Sequence, residues 1–192
     1  KDVTNIDGHN LLKGLSNMDY IRYQGINGPI WALMAFDSGN YPVPEGGVSR
    51  EKLIDVILDA QLSDGGWALS GERSDPDMTG MALQALAPYY KTDAKVRAAV
   101  DEALETLSVM QEADGSFGSI DGVSAESVAQ VVAGLSALGI DAHTDARFIK
   151  NGVSAIDALC AFYVEDGGFK HIPGGSLDGM ATEQSYYALA AY

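Results

Sequence analysis

The sequence predicts an all-α domain in which amphipathic outer helices jacket a layer of apolar inner ones. Three observations carry that expectation. A short Gly-containing segment returns three times, as QLSDGGW at 61–67, QEADGSF at 111–117 and YVEDGGF at 163–169. A stretch of helical periodicity precedes each copy, and a stretch that is apolar or small nearly all round follows it. The aromatic ends, Trp67, Phe117 and Phe169, stand 50 and then 52 residues apart, enough for one helical hairpin per repeat.

Taken in chain order, GHNLLKGLSNM is the first helical candidate and GPIWALMAF at 28–36 the first inner helix. MALQALAPYY, SVAQVVAGLSALG and MATEQSYYALAAY continue the inner set, and their composition predicts burial on most sides. The outer helices are two-faced. Val96, Val100, Ala103, Leu104, Leu107 and Met110 share one helical face, with Lys95, Arg97, Asp101 and Glu105 opposite. Ile149, Val153, Ile156 and Cys160 are read as the apolar face of another outer helix. The result is eight helices in four hairpins, expected to form one domain over 1–192. Turns such as YYKTD and LGIDAHTDA join inner to outer helices, and longer Gly-rich loops at 63–75, 112–123 and 164–178 join outer to inner. Antiparallel alternation brings those loops and the inner-helix N-termini to one end, where function is expected. In the Q-x-x-x-G-x-aromatic element, Gly supplies a left-handed exit from the outer helix and the ring folds back over the turn. The Gln amide is then free to satisfy loop backbone groups.

Composition narrows the function. Hydrophobic residues make up 46% and charged residues 20%, a globular balance, and the net charge of −15 argues against nucleic acid or an anionic membrane as partner. No apolar run approaches the roughly 20 residues that span a bilayer. Cys160 is the single cysteine, so no intrachain disulfide forms, and His9, His143 and His171 are too scattered to suggest a metal site.

These repeats resemble the QW-type repeats of the terpene cyclase and protein prenyltransferase superfamily. The resemblance implies an α/α toroid of inner and outer helix rings, here a partial toroid of four hairpins. It looks closest to a branch found in bacterial surface proteins of clostridial type. The phrases NLLKGL, GINGPIWALMAFDS, DPDMTGMALQALAPYY, ESVAQVVAGLSALGID, DARFIKNG and MATEQSYYALAAY carry that likeness. It implies an extracellular or cell-surface setting, with further hairpins or flanking domains in the parent protein. The chain then looks like the C-terminal part of such a toroid.

Four functional transfers compete. Prenyltransferase β subunits hold zinc with Asp, Cys and His, but Cys160 has no D-x-C pairing; complement-like thioester domains need GCGEQ, which is absent. Class II terpenoid cyclases carry D-x-D-D-T-A, whose middle Asp protonates an alkene or epoxide. DPDMTG matches it at Asp75, Asp77 and Thr79, with Met78 in place of the third carboxylate and Gly80 in place of the Ala. Cobalamin carriers of the transcobalamin type have a helix start similar to DMTGMALQALA and bind their ligand at the toroid mouth. That likeness implies binding without chemistry, with cobalamin as the alternative to no cofactor at all.

The same residues have a plain reading. Asp75 suits an N-cap, Pro76 the first helical position and Asp77 the first turn; Ser124 with Glu126, and Asp178, open the other inner helices in the same way. The sharper expectation is a non-catalytic binding or scaffold module whose mouth is lined by Trp67, Asp75, Asp77, Thr79, Phe117, Glu126, Phe169, His171 and Glu183. Acidic groups with aromatic walls suit a cationic or polycyclic small molecule or a protein segment. The alternative is a cyclase-like isomerase with Asp77 as proton donor, assisted by Asp75 and Thr79. Gln130 and Gln184 are expected to bond loop backbone.

Overall fold

Among the described residues seven short strands accompany the helices, so the fold is mixed α/β and not the all-α arc of hairpins that periodicity predicts. A computed structural model of the protein describes residues 2–119, 122–165 and 167–192. Ile120 and Asp121 of the loop at 112–123, and Asp166 of YVEDGGF, lie outside the described residues. Contacts divide the chain into two units, Lys1–Gln61 and Leu62–Tyr192.

In the first unit, the expected opening helix divides into a 3-10 turn over Leu11–Ser16 and α1, Met18–Ile21, because the Asn17 side chain caps a new start at Asp19 and Tyr20. α2 spans Asn27–Asp37 and packs on α3, Arg50–Asp59. Arg50 ties their connection together. It donates to the Asp37 carboxylate at 2.6 Å and to the carbonyls of Phe36 and Tyr41 at 2.8 and 2.9 Å.

The second unit holds α4 (Pro76–Leu86), α5 (Ala94–Met110), α6 (Ala125–Ala137), α7 (Ala155–Cys160) and α8 (Gly179–Ala191). α4 packs on α6 and α6 on α8, forming the inner layer, while α5 covers α4 and α7 covers α6. α6 is buried without interruption from Ala125 to Leu135, as its composition predicts. α8 departs from that prediction. Its buried face is the narrow row Ala181, Ser185 and Ala188, while Met180, Tyr186 and Tyr187 are 62%, 47% and 45% exposed. Small residues let α6 approach on that one side, which leaves the larger side chains turned outward.

Most strands lie in the expected loops, but β3 and β4 stand where an outer helix was expected. β1 (Gly118–Ser119) pairs with β2 (Gly122–Val123), and β3 (Ile149–Lys150) with β4 (Val153–Ser154). β5 (Tyr163–Val164), β6 (Gly168–Lys170) and β7 (Leu177–Asp178) form a three-stranded antiparallel sheet. The expected helical face Ile149–Cys160 is thereby corrected. Asn151 and Gly152 adopt φ of 51° and 84°, the left-handed pair of a two-residue hairpin turn, so helix begins only after the Ser154 cap. Elsewhere the crossovers must pair backbone groups that packing takes from water, and short ladders do so.

The returning segment folds as its residues dictate. Gly65, Gly115 and Gly167 all have positive φ, between 80° and 94°. The Gln111 amide donates to the carbonyls of Gly115 and Phe148, both at 3.0 Å, closing the turn from inside.

Candidate functional site

The inner helices open with the side chains that the plain reading assigns. Asp75 accepts from the backbone N–H of Asp77 and Met78, Ser124 from Ser127, and Asp178 from Met180 and Ala181. One turn further in, Thr79 latches the preceding loop. Trp67 N–H donates to its Oγ1 at 3.0 Å, and that hydroxyl donates to the Trp67 carbonyl at 3.2 Å. Thr182 repeats the latch on Phe169, accepting from the N–H at 2.9 Å and reaching the carbonyl at 3.3 Å. The signal was present in the sequence: threonine stands four residues after the capping aspartate in both DPDMT and DGMAT.

Burial takes the repeat aromatics out of the expected mouth, with the latches holding two of the three. Trp67, Phe117 and Phe169 are 0%, 0% and 2% exposed. Each is a core side chain whose burial contributes on the order of 2–3 kcal/mol, not a wall that a ligand could touch. Thr79 is equally buried and committed to the backbone of Trp67. Glu183 sits exposed on α8 and makes no hydrogen bond or ion pair among the described residues.

What remains at the loop end is acidic. Glu126, on the first turn of α6, is buried, and its Oε2 lies 2.8 Å from Nδ1 of His171. The loop carrying His171 is anchored to the same helix start, since Ala125 N–H donates to the His171 carbonyl at 2.9 Å. The hydrogen bond to Glu126 raises the His171 pKa, and Asp178 and Asp77 add to the rise. Asp77, on the first turn of α4, is half-buried, and its Oδ1 is fully buried without a hydrogen-bond partner among the described residues. Burial pushes its carboxyl up to about 6; Asp75 and Glu126 push the same way, while the Ser127 hydroxyl and His171 pull it down. Five of the expected or related groups are thus brought together: Asp75, Asp77, Glu126, His171 and Asp178.

Sequence reasoning missed the glutamines' role. Gln84 Nε2 donates to Gln130 Oε1 at 2.8 Å, and Gln130 Nε2 donates to Gln184 Oε1 at 2.9 Å, linking α4, α6 and α8 side chain to side chain. The Tyr187 hydroxyl donates back to Gln84 Oε1 at 2.9 Å. The expected bonds to loop backbone are not what these residues make.

A solved structure, protein geranylgeranyltransferase-I of Candida albicans complexed with GGPP, matches 95% of this chain at 16% identity with a TM-score of 0.62. The fold is prenyltransferase-like. At that identity the likeness extends to the fold alone, and this chain spans 58% of the neighbour's length. No protein-family model and no curated protein matches the sequence. Among the described residues, no group of three or more His, Cys, Asp or Glu side chains is placed to hold a metal ion, and Cys160 is exposed. No helix among them is long and apolar enough to cross a membrane.

Proposed function

We propose that the chain is a non-catalytic binding module of a secreted or cell-surface bacterial protein, whose acidic rim receives a cationic group from a small molecule or a protein segment. The observation that carries this reading is the half-buried Asp77 carboxyl, whose charged form Asp75 and Glu126 disfavour. Carboxylates that repel one another are costly when ionised, and an ammonium or guanidinium held at the rim offsets that repulsion. Burial of the three repeat aromatics favours a compact cation over a flat polycycle of the cobalamin kind. No resident cofactor is part of this reading, and the surface setting rests on the family resemblance.

The test is calorimetric titration with spermidine and with an arginine-bearing peptide from pH 5 to 7.5. Affinity should rise as Asp77 ionises above about 6, and Asp77→Asn should flatten that rise. Absence of binding by either probe at every pH would overturn the reading.

One observation favours a second reading. A carboxyl raised to about 6 is poised to donate a proton, as the cyclase-like isomerase alternative requires of Asp77. Asp75 and Thr79 offer it little help, being engaged in the cap and the latch. Turnover of a polyprenyl substrate by the wild type, lost in Asp77→Asn, would support it.

A further inference from the structure

A recess lies between the loop after α5, the helix α7 and the strand β6. Its volume is about 200 Å3, and its lining includes Ala158, Ala161 and Phe162 together with Asp114, Asp157 and Lys170. Phe162 and Ala158 are buried and form an apolar floor. The three charged groups have a particular arrangement. Asp114 Oδ1 accepts from both the N–H and the hydroxyl of Ser116, at 3.1 and 2.6 Å. Asp157 Oδ2 accepts from the N–H and the hydroxyl of Ser154, at 3.0 and 2.6 Å, with His143 Nδ1 at 3.8 Å. Each carboxylate is therefore held in place by one oxygen, while the other makes no hydrogen bond among the described residues. These serine bonds, chief among the causes, hold both carboxyls below their ordinary range, so both are ionised at neutral pH.

Lys170 Nζ makes no hydrogen bond or ion pair among the described residues, although two carboxylates line the same recess. Opposite charges that share a recess without meeting suit a ligand that carries both charges itself. The volume falls below the roughly 300 Å3 at which sites for drug-sized ligands begin, so the ligand is small. Its body must be apolar to replace water against Val123, Val153 and Ala161 in the recess wall.

We propose that this recess binds a free α-amino acid with an apolar side chain. Lys170 takes its carboxylate, the free oxygens of Asp114 and Asp157 take its ammonium, and the side chain lies against Val123, Val153 and Ala161. This site is separate from the acidic rim and does not depend on the function proposed there.

The test is calorimetric or NMR titration with L-leucine, isoamylamine, 4-methylpentanoate and L-leucinamide. Leucine should bind saturably, and each analogue at least about tenfold more weakly. Lys170→Met should reduce leucine to the level of isoamylamine while leaving isoamylamine unchanged. Ala161→Leu, at an exposed position that adds bulk to the recess, should block both. Thermal denaturation of the two variants checks that they fold. No saturation by about 10 mM leucine, or an unchanged leucine affinity in Lys170→Met, would overturn the proposal. Leucinamide binding as tightly as leucine would overturn the assignment to free amino acids, since it shares the features of a peptide N-terminus.

Discussion

Asp77 costs the fold stability at neutral pH. Its carboxyl is raised from an ordinary 3.8 to about 6, so between those values the folded chain holds a proton that the unfolded chain has released. Stability therefore falls as pH rises through that window, and above it the ionised form costs roughly 3 kcal/mol. Asp77→Asn should match the wild type near pH 4 and exceed its thermal midpoint at pH 7.5; equal midpoints at both would count against a strained carboxylate. His171 has the same sign in a higher window. Its raised pKa contributes stability that is complete below its ordinary 6.5 and is lost as pH rises through the folded value. The variant thus removes the lower step and, by taking away one of the carboxylates that raise His171, shrinks the higher one. That Asp77 and Glu126 sit on helix starts was legible from DPDMT and SAES, because capping is a local property of neighbouring residues. That Asp77 buries an oxygen with no partner was not, since burial depends on α6 and on the loop carrying His171.

Among the elements of the inner layer, α4 and α6 approach closely through a pair of glycines. A Cβ on Gly80 would fall 2.5 Å from the Gln130 carbonyl oxygen, and one on Gly134 2.8 Å from the Gly80 carbonyl oxygen. Each glycine faces the other helix's backbone, which cannot rotate aside as a side chain can. An exposed helical glycine gains about 1 kcal/mol on conversion to alanine. Here Gly80→Ala should instead lose about 1–3 kcal/mol, read as a lower denaturant midpoint. A gain would show that the helices separate freely. The elements also mark where periodicity misled. Ile149, Val153, Ile156 and Cys160 have helical spacing, but Asn151-Gly152 is the stronger local instruction and turns the chain into a hairpin first. Even the Gly-rich crossovers, read as irregular, become ladders such as Tyr163 with Phe169 and Phe169 with Asp178.

Across the second unit as a whole, the glutamine bonds link three inner helices that are otherwise held by small-residue packing. Gln130 is the middle member, accepting from Gln84 and donating to Gln184. Gln130→Leu keeps the volume but leaves a buried Gln84 donor and a Gln184 acceptor with fewer partners. We expect a loss of about 1–3 kcal/mol, with Tyr187→Phe, at the rim of the same network, losing less. Equal losses in the two would show that the links are independent. Such bonds join residues 46, 54 and 103 positions apart, and no local pattern specifies them.

The sequence by itself determined the repeat, the helix caps, the glycine exits and, in the second unit, which helices lie inside. Each follows from the chemistry of residues a few positions apart. Only the tertiary structure decided which side chains the layers cover. It buried Trp67, Phe117 and Phe169, engaged Thr79 with backbone, bared one face of α8 and left one Asp77 oxygen without a donor. Burial and hydrogen-bond satisfaction are properties of neighbours brought together by folding, and a pattern along one strand of chain does not contain them.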